Sequence, residues 1–516
     1  MTVQSMSWKQ LQNGSDIRGV ALEGVADEPV NLTPERVKIL GQAFVTWLSQ
    51  QGQSSVSTTD LCISVGRDSR LSGPTLMPAL IEGITSLGSQ VKDFGLASTP
   101  AMFMSTVNAD TACDGAIMMT ASHLPFNRNG LKFFTPNGGL DKKDIAAILA
   151  LAENQQWAND VESSGTLSQQ DFISVYADGF VQMVRQGVNH PDHFEQPLQG
   201  LHIVVDAGNG AGGFYAAKVL EPLGADTTGS QFLDPDGTFP NHIPNPENED
   251  AIASLRTAVL SQKADFGIIF DTDVDRAAAV DSQGNELNRN RLIALIAAVV
   301  LQEHPGSTIV TDSITSDGLT QFIEQDLKGI HHRFKRGYKN VINESKRLNQ
   351  AGQESWLAIE TSGHGAMKEN YFLDDGAYLI TKLLVELAKA NLEGRSLTDL
   401  IATLKEPEES TELRFKIGAE DFKAYGNQII EALSQFAATQ DGWSIVPKNY
   451  EGVRIACGSP AENGWLLLRL SLHDPVIPVN IESNVAGGVV QIATRLQTFL
   501  ADWDALDVSP FTSVLG

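Results

Sequence analysis

Four times along this chain of 516 residues an apolar run stops at a polar or glycine-rich loop: after Val65, Val205, Phe270 and Thr311. A short apolar run bounded by loop residues reads as a buried strand. A strand, a glycine loop and then a helix is the start of a βαβ unit. Open α/β sheets bind their ligands where such strands end. The first of these units continues through Gly66-Arg67-Asp68-Ser69-Arg70-Leu71-Ser72-Gly73 into a helix predicted over Gly73 to Leu87. A second strand closes at Asp93 to Pro100. The chain is too long for one ordinary core, so the units must be distributed over several domains.

One further strand, Ala116-Ile117-Met118-Met119, leads into Thr120-Ala121-Ser122-His123-Leu124-Pro125. Ser122 stands at the strand's end with His123 beside it and Lys132 ten residues on. A hydroxyl is a poor nucleophile without a base or a cation nearby, and this loop offers both. The same residues also suit a solvated Ser-His loop. What separates the two readings is a metal site, and the strand Phe266 to Phe270 delivers a candidate: Asp271-Thr272-Asp273-Val274-Asp275-Arg276. Three carboxylates at i, i+2 and i+4 of an extended turn can converge on one centre. Oxygen-only ligands suit a hard cation, Mg²⁺ before Zn²⁺. The glycine and the twelfth-position glutamate of a calcium-binding EF-hand loop are missing. A solvated acidic turn is the alternative.

Other stretches add polar groups. Gly14-Ser15-Asp16-Ile17-Arg18-Gly19 reads as a glycine-flanked turn presenting Arg18, either to a phosphate or to solvent. Ala207-Gly208-Asn209-Gly210-Ala211-Gly212-Gly213 is a glycine loop before a helix, but lacks the spacing of a dinucleotide site. Phe239 to Pro246 is a proline-stiffened connecting loop. Arg336-Gly337-Tyr338-Lys339-Asn340, Glu360-Thr361-Ser362-Gly363-His364 and Asp374-Asp375-Gly376 follow in the third unit. A carboxylate such as Glu360 can accept two vicinal hydroxyls, or the segment is an ordinary Ser-Gly turn. Helices are predicted around Lys142 to Glu153, over Asp171 to Arg185 and, buried, over Leu292 to Leu301. Asn154 to Gln169 reads as a polar linker, and Lys405 to Ser410 as a charged, proline-broken one. Beyond it the pattern shifts to alternating strands, so Thr411 to Gly516 reads as a smaller α+β domain.

Net charge is -26, from 63 acidic and 37 basic residues. That disfavours nonspecific attraction to nucleic acid or to an anionic membrane, while leaving room for a local basic pocket. Cys62, Cys113 and Cys457 are odd in number and far apart in sequence, with no disulfide framework or metal-knuckle spacing, which suits a reducing cytoplasm. Cys62 reads as a core thiol. Met1 to Lys9 carries no apolar signal segment, and no apolar run reaches the roughly 20 residues that span a bilayer.

The serine and aspartate loops together resemble those of the α-D-phosphohexomutase superfamily, the phosphoglucomutases and phosphomannomutases, which read T-A-S-H-N-P and D-G-D-A-D-R or close to it. The superfamily's D-I-R-G turn, F-P-N-H-x-P-N-P stretch and G-E-x-S-G-H sugar loop match Asp16 to Gly19, Phe239 to Pro246 and Ile359 to His364 in the same order, with Ile359 in place of the first glycine. The resemblance implies an α/β fold of three consecutive mixed-sheet domains plus a smaller C-terminal α+β domain around a central cleft, here 1–170, 171–288, 289–408 and 409–516. It implies a phosphotransferase acting on small phosphosugars, with no nucleic-acid or membrane partner, and leaves the oligomeric state open. Ser122 then carries the phosphoryl group, and Mg²⁺ sits on Ser122, Asp271, Asp273 and Asp275. Arg18, His123, Lys132 and His364 act in catalysis, Lys132 as an acid or base whose pKa nearby cations lower. Arg276, Gly337, Tyr338, Lys339, Glu360, Ser362, Arg469, Ser471 and His473 bind substrate.

The C-terminal phosphate loop departs from the superfamily's R-P-S-G-T-E-P. Arg469, Ser471 and Pro475 match, but Leu472 and His473 replace a small residue and a hydroxyl. A glycine lets the backbone approach a phosphate closely; a leucine does not. The expected activity is interconversion of glucose or mannose 1- and 6-phosphates through a 1,6-bisphosphate. A looser hold on the distal phosphate makes a bisphosphate-forming phosphotransferase, fed by a donor such as fructose 1,6-bisphosphate, the second reading. A phosphosugar-binding regulator without turnover is the third, against which the intact Ser122, Lys132 and aspartate triplet stand.

Overall fold

The computed structural model describes residues 7–51, 56–157, 164–471 and 474–516. The chain forms two compact units: Met1–Asn288 with Ser362–Asp399, and Arg289–Thr361 with Leu400–Gly516.

The first unit opens with eight strands: β1 (Gln12–Asn13), β2 (Asp16–Val20), β3 (Cys62–Arg67), β4 (Gln90–Leu96), β5 (Gly115–Met119), β6 (Arg128–Thr135), β7 (Gly138–Gly139) and β8 (Leu167–Gln169). They form one sheet in the order β1-β2-β6-β5-β3-β4-β8, with β7 paired to β6. β3 lies parallel to β4 and β5, whereas β6 runs antiparallel to β5 and β2, so the sheet is mixed. Alternation decides which side faces what. Ile63, Val65, Ile117, Met119, Leu131 and Phe133 pack under the helices Pro34–Ser49, Gly73–Thr85 and Lys142–Asn154. Ser64, Met118 and Lys132 alternate with them on the other face, where the helix Thr99–Val107 packs and Ser64 meets Ser105 at 2.6 Å. The pairing of Met118 with Lys132 thus puts Lys132 beside the strand that leads to Ser122.

A second sheet in this unit contains β9 (Ile203–Asp206), β10 (Phe266–Phe270), β11 (Ala277–Asp281) and β12 (Glu286–Leu287), in the order β12-β11-β10-β9. β10 is buried along its whole length. The aspartate loop is the hairpin from β10 to the antiparallel β11. β16 (Gly365–Met367) and the helix Gly376–Leu392 also belong to this unit, the helix end tied in by Tyr176 Oη, which donates to Asp375 Oδ1 at 2.7 Å.

In the second unit β13 (Thr308–Thr311) lies parallel to both β14 (Ile330–Arg333) and β15 (Ser355–Ile359). The helix Arg289–Glu303 has Leu292 to Leu301 entirely buried, as the apolar run predicts. The C-terminal part is an antiparallel sheet of β17 (Glu409–Lys416), β18 (Trp443–Ile445), β19 (Val453–Cys457), β20 (Gly464–Leu468) and β21 (Val476–Ser483), in the order β17-β21-β20-β19-β18. One face packs its apolar residues with the helices Phe422–Ala437 and Gly488–Leu500. This is the α+β arrangement expected.

Four expectations are corrected. Arg18 is not in a turn: it lies within β2, paired with Gly130 of β6, and only Gly14 and Ser15 turn the chain. The linker read over Asn154 to Gln169 ends in a strand, because β8 finds an edge of the sheet beside β4; residues 158–163 lie outside the described residues. The charged linker likewise ends early, since Glu409 already pairs with Ser483. Cys62, read as a core thiol, is only partly buried, its sulfur 3.5 Å from that of the buried Cys113, 51 residues on, at the neighbouring starts of β3 and β5. Among the described residues no helix is long and apolar enough to cross a membrane.

Candidate active site

The serine loop is held by a buried pair that sequence reasoning passed over. Thr120 Oγ1 donates to Asp68 Oδ2 at 2.7 Å and accepts from the Ser122 backbone N–H at 2.9 Å. Asp68 also pairs with Arg70 Nε at 3.3 Å, and both side chains are buried. Arg70 then spends its remaining donors on the loop's carbonyls: Nη1 on Pro125 and Arg128 at 2.8 and 2.9 Å, Nη2 on Leu124 at 2.6 Å and on Ser122 itself. Five fixed donors on one planar group suit this task. They keep Ser122 in the left-handed region, at φ 51°, where a non-glycine residue needs outside support. Burial pushes the Asp68 carboxyl up to about 6, against the pull of Arg70.

Ser122 Oγ meets the aspartate loop directly. It donates to Asp271 Oδ2 at 3.1 Å and accepts from Arg276 Nη2 at 3.2 Å. The same guanidinium donates to His123 Nδ1 at 2.8 Å. Burial, with the charges of Arg276 and Arg18, pushes His123 down to about 3. The imidazole is therefore neutral at pH 7, with Nδ1 as an acceptor. Arg276 is further held by Asp271 Oδ2 at 3.1 Å and by Asn245 Oδ1 at 3.0 Å, so the Phe239 to Pro246 loop acts on the site through Asn245.

Asp271, Asp273 and Asp275 are completely buried, and each offers a carboxylate oxygen within 4.8 Å of the others. Val274 between them adopts φ 68°, strained for a β-branched residue, and that turn lets the triplet converge. Thr99 Oγ1 donates to Asp273 Oδ2 at 2.5 Å, and Lys132 Nζ lies 2.5 Å from Asp275 Oδ2 and 3.4 Å from Asp273 Oδ2. Asp273 Oδ1 and Asp275 Oδ1 remain buried without a hydrogen-bond partner among the described residues. Burial and the charges of its two neighbours push Asp271 well above the usual carboxylate range. Burial acts the same way on Asp275, but Lys132, His364 and Arg276 hold it below that range. Crowded buried carboxylates with orphaned oxygens are what a hard cation relieves, so the triplet fits a divalent metal. Lys132 is thus paired with carboxylates rather than flanked by the cations expected.

The sugar-loop residues fall in both units. Ser362 and His364 belong to the first. His364 forms a backbone bridge with Arg276, and its Nδ1 is 3.2 Å from Asp374 Oδ2. Gly363, at φ 92°, allows the close approach: a Cβ there would lie 2.8 Å from the Ala277 carbonyl. Ser362 Oγ is buried with no partner among the described residues. Arg18, on β2, pairs with Asp16 at 3.1 Å. Thus Arg18, Ser122, His123, Lys132, the aspartate triplet, Arg276, Ser362 and His364 are all placed by the first unit.

The second unit holds the rest. Glu360 follows β15, is 4% exposed, and accepts from the Gly337 backbone N–H at 2.5 Å. Gly337, at φ 115°, turns the chain into the helix Tyr338–Gln350, so Tyr338 and Lys339 form its first turn. Arg469 and Ser471 follow β20, where their backbone N–H groups donate to Pro478 and Val476. Leu472 and His473 lie outside the described residues.

Three family models of phosphoglucomutase/phosphomannomutase α/β/α domains, I, II and III, match residues 9–159, 178–284 and 288–406 in that order. A phosphomannomutase/phosphoglucomutase from Pseudomonas putida is 32% identical over 90% of this chain and 92% of its own. The chain belongs to the phosphoglucomutase/phosphomannomutase family. A Neisseria gonorrhoeae phosphoglucomutase is 28% identical over 94% of this chain and 95% of its own. The crystal structure of a phosphoglucomutase/phosphomannomutase family protein from Burkholderia thailandensis superposes with a TM-score of 0.77 at 26% identity, covering 97% of this chain and 99% of that one. Family membership makes the chain a phosphotransferase of the mutase type, and the fold is the family's: three mixed α/β domains and a C-terminal domain on an antiparallel sheet.

Proposed function

We propose that this chain interconverts hexose 1-phosphate and hexose 6-phosphate, glucose and/or mannose, with Ser122 carrying the phosphoryl group and a hexose 1,6-bisphosphate as intermediate. The observation that carries the reading is the position of Ser122 Oγ, between Asp271 Oδ2 at 3.1 Å and Arg276 Nη2 at 3.2 Å. Relatives named phosphomannomutase/phosphoglucomutase support the substrate class. We assign the chain to the cytoplasm on its three free thiols, and keep the four domains at 1–170, 171–288, 289–408 and 409–516.

Phosphoryl transfer depends on positioning and charge neutralisation more than on covalent chemistry by the protein. Asp271, Asp273 and Asp275, with a Ser122 oxygen, would hold Mg²⁺, which supplies positive charge to the phosphoryl oxygens when bound. Arg276 and Arg18 offer guanidinium donors to the same oxygens. A sugar hydroxyl takes the phosphoryl group, its new P–O bond replacing the bond to Ser122 Oγ. Lys132 and His364 would exchange the hydroxyl's proton. Neutral His123 orients Arg276 through Nδ1. Glu360, Ser362 and the Gly337–Lys339 turn bind sugar hydroxyls, and Arg469, Ser471 and His473 bind the phosphate that is not reacting.

The replacements at Leu472 and His473 favour a second reading on the same chemistry. With its distal phosphate held less firmly, the bisphosphate leaves, and the chain becomes a hexose-bisphosphate synthase drawing phosphate from a donor such as fructose 1,6-bisphosphate. Product analysis by ³¹P NMR separates the two. Purified protein, Mg²⁺ and glucose 1-phosphate are incubated with and without fructose 1,6-bisphosphate. Conversion to glucose 6-phosphate with trace bisphosphate supports the mutase. Build-up of glucose 1,6-bisphosphate as the donor disappears supports the synthase. No phosphoryl transfer to glucose or mannose phosphates would reject both.

A further inference from the structure

The C-terminal sheet has a polar face opposite its apolar core. Glu412, Arg414, Arg454 and Asn480 alternate with core residues on their strands, and Arg469 extends the same face beyond β20. At one end of this face the buried Arg454 lies over Trp465, 3.5 Å from the ring centroid, and donates to the carbonyls of Ser313 and Thr315 at 3.0 and 3.2 Å. Those two carbonyls are backbone acceptors that a phosphate cannot replace, so Arg454 is structural.

The other end differs. Arg469 is 7% exposed, yet its Nε has no acceptor among the described residues. The loop from Tyr450 to Gly452 runs against it. Gly452 has φ 57°, and a Cβ there would lie 2.8 Å from Arg469 Cα. Glu451 in that loop accepts from Ser313 Oγ and from the Arg336 backbone N–H, the latter at 3.2 Å. Glu412 accepts from Arg414 at 2.8 Å and Asn480 at 3.1 Å, and its other approach is from Arg336 Nη1 at 4.0 Å. Three guanidinium groups (Arg336, Arg414, Arg469) thus share a region with two carboxylates, a net charge of +1 by count. A phosphate monoester brings about -1.5 to -2 at pH 7. Pockets that hold phosphate firmly offer it paired guanidinium donors; here Arg336 Nη1 already approaches Glu412 at 4.0 Å, and the charges of Glu451 and Glu412 act on Arg469.

We propose that Glu412 and Glu451 are specificity-determining residues that compete with phosphate for the Arg336 and Arg469 guanidinium groups. The loop Arg469–Ser471 then holds the distal phosphate of a sugar bisphosphate loosely, and the bisphosphate exchanges with solvent. This rests on the reading of that loop as the distal-phosphate site. The two glutamates act independently of Leu472 and His473, through charge rather than backbone shape.

The test uses full-length protein carrying Ser122→Ala, so that nothing turns over, with Mg²⁺ and glucose 1,6-bisphosphate titrated by calorimetry. Glu412→Gln and Glu451→Gln keep a hydrogen-bonding oxygen and remove the charge. Each is expected to tighten Kd by about three- to tenfold, the scale of a partly screened charge pair. Arg469→Gln should weaken it about tenfold or more. With Ser122 restored, the glutamine variants should release less free bisphosphate per hexose 6-phosphate formed. If both folded glutamine variants bind as the parent or more weakly while Arg469→Gln loses binding, the proposal is overturned and the loop's assignment stands. If Arg469→Gln binds like the parent, the loop's assignment fails and takes the proposal with it. Should one glutamine variant not fold, the other decides.

Discussion

Arg70 donates to the backbone carbonyl of Ser122, the residue whose hydroxyl faces Asp271. The geometry of the proposed phosphoryl carrier is therefore set from behind, by a side chain that need not touch substrate. Three more carbonyls of the same loop depend on that guanidinium, and Asp68 depends on it for charge.

Arg70→Met should leave Asp68 buried and uncompensated and four carbonyls without their donor. Removing one partner of a buried pair costs about 3–5 kcal/mol, so urea unfolding should show a loss of that size. Turnover in the folded fraction should fall as well, because Ser122 relaxes from its left-handed conformation. Arg70→Lys should not rescue it, since a single ammonium cannot reach four carbonyls.

Thr99 has no expected contact with substrate, but its hydroxyl is a hydrogen-bond donor to Asp273. Thr99→Val should weaken Mg²⁺ binding about 10–100-fold, the usual effect of losing a group that orients a metal ligand. Metal titration of activity after chelator treatment reads this directly. In excess chelator the unsubstituted protein should be inactive and should recover on adding Mg²⁺.

Two histidines should titrate in opposite directions. Burial alone would lower His242, but its bond to Asp206 and that carboxylate's charge outweigh burial and raise it above 6.5. Both ring nitrogens face acceptors: Asp206 at 3.0 Å and the Ile243 carbonyl at 3.0 Å. Its stabilising contribution is complete below about 6.5 and is lost as pH rises through the folded value. Burial, then Arg333 and Arg454, push His331 well below 6.5. Its contribution is present above about 6.5 and is lost as pH falls. Imidazole resonances followed by NMR should show His242 titrating above His331.

Cys62 should be the reactive thiol. The hydrogen bond from Cys113 is the main cause lowering it to about 7, with burial opposing and Lys92 assisting, whereas the bond to Cys62 and burial push Cys113 up. Alkylation at pH 7.5 read by peptide mass spectrometry should label Cys62 well before Cys113. Equal labelling would contradict the pairing.

The strand-to-loop units, the serine loop and the aspartate triplet were legible because each is local: a run of apolar residues, then polar ones at fixed spacing. What was not legible depends on residues far apart in sequence. Asp68 and Arg70 sat in a loop read only as the opening of a βαβ unit; an acidic and a basic residue two apart at a strand end was the available signal. Thr99, Asn245 and Asp374 reach the site across 174, 31 and 10 residues; Asn245 and Asp374 stand in stretches the sequence singles out, but nothing local assigns them these partners. Lys132 was read only by its spacing from Ser122 and was given the wrong neighbours, because only the sheet pairing brings it to Asp275. Arg18 was read as a turn because two glycines flank it; Gly19 is instead a site of close packing, where a Cβ would lie 2.5 Å from Asn31.

The phosphorylation state of Ser122 tests the central claim most directly. The protein is incubated with Mg²⁺ and glucose 1,6-bisphosphate, quenched, digested and sequenced by mass spectrometry. One phosphoryl group on Ser122, removed again by excess glucose 1-phosphate and absent from Ser122→Ala, is the predicted result. Turnover that proceeds with Ser122 unmodified, or that survives in Ser122→Ala, would contradict the account.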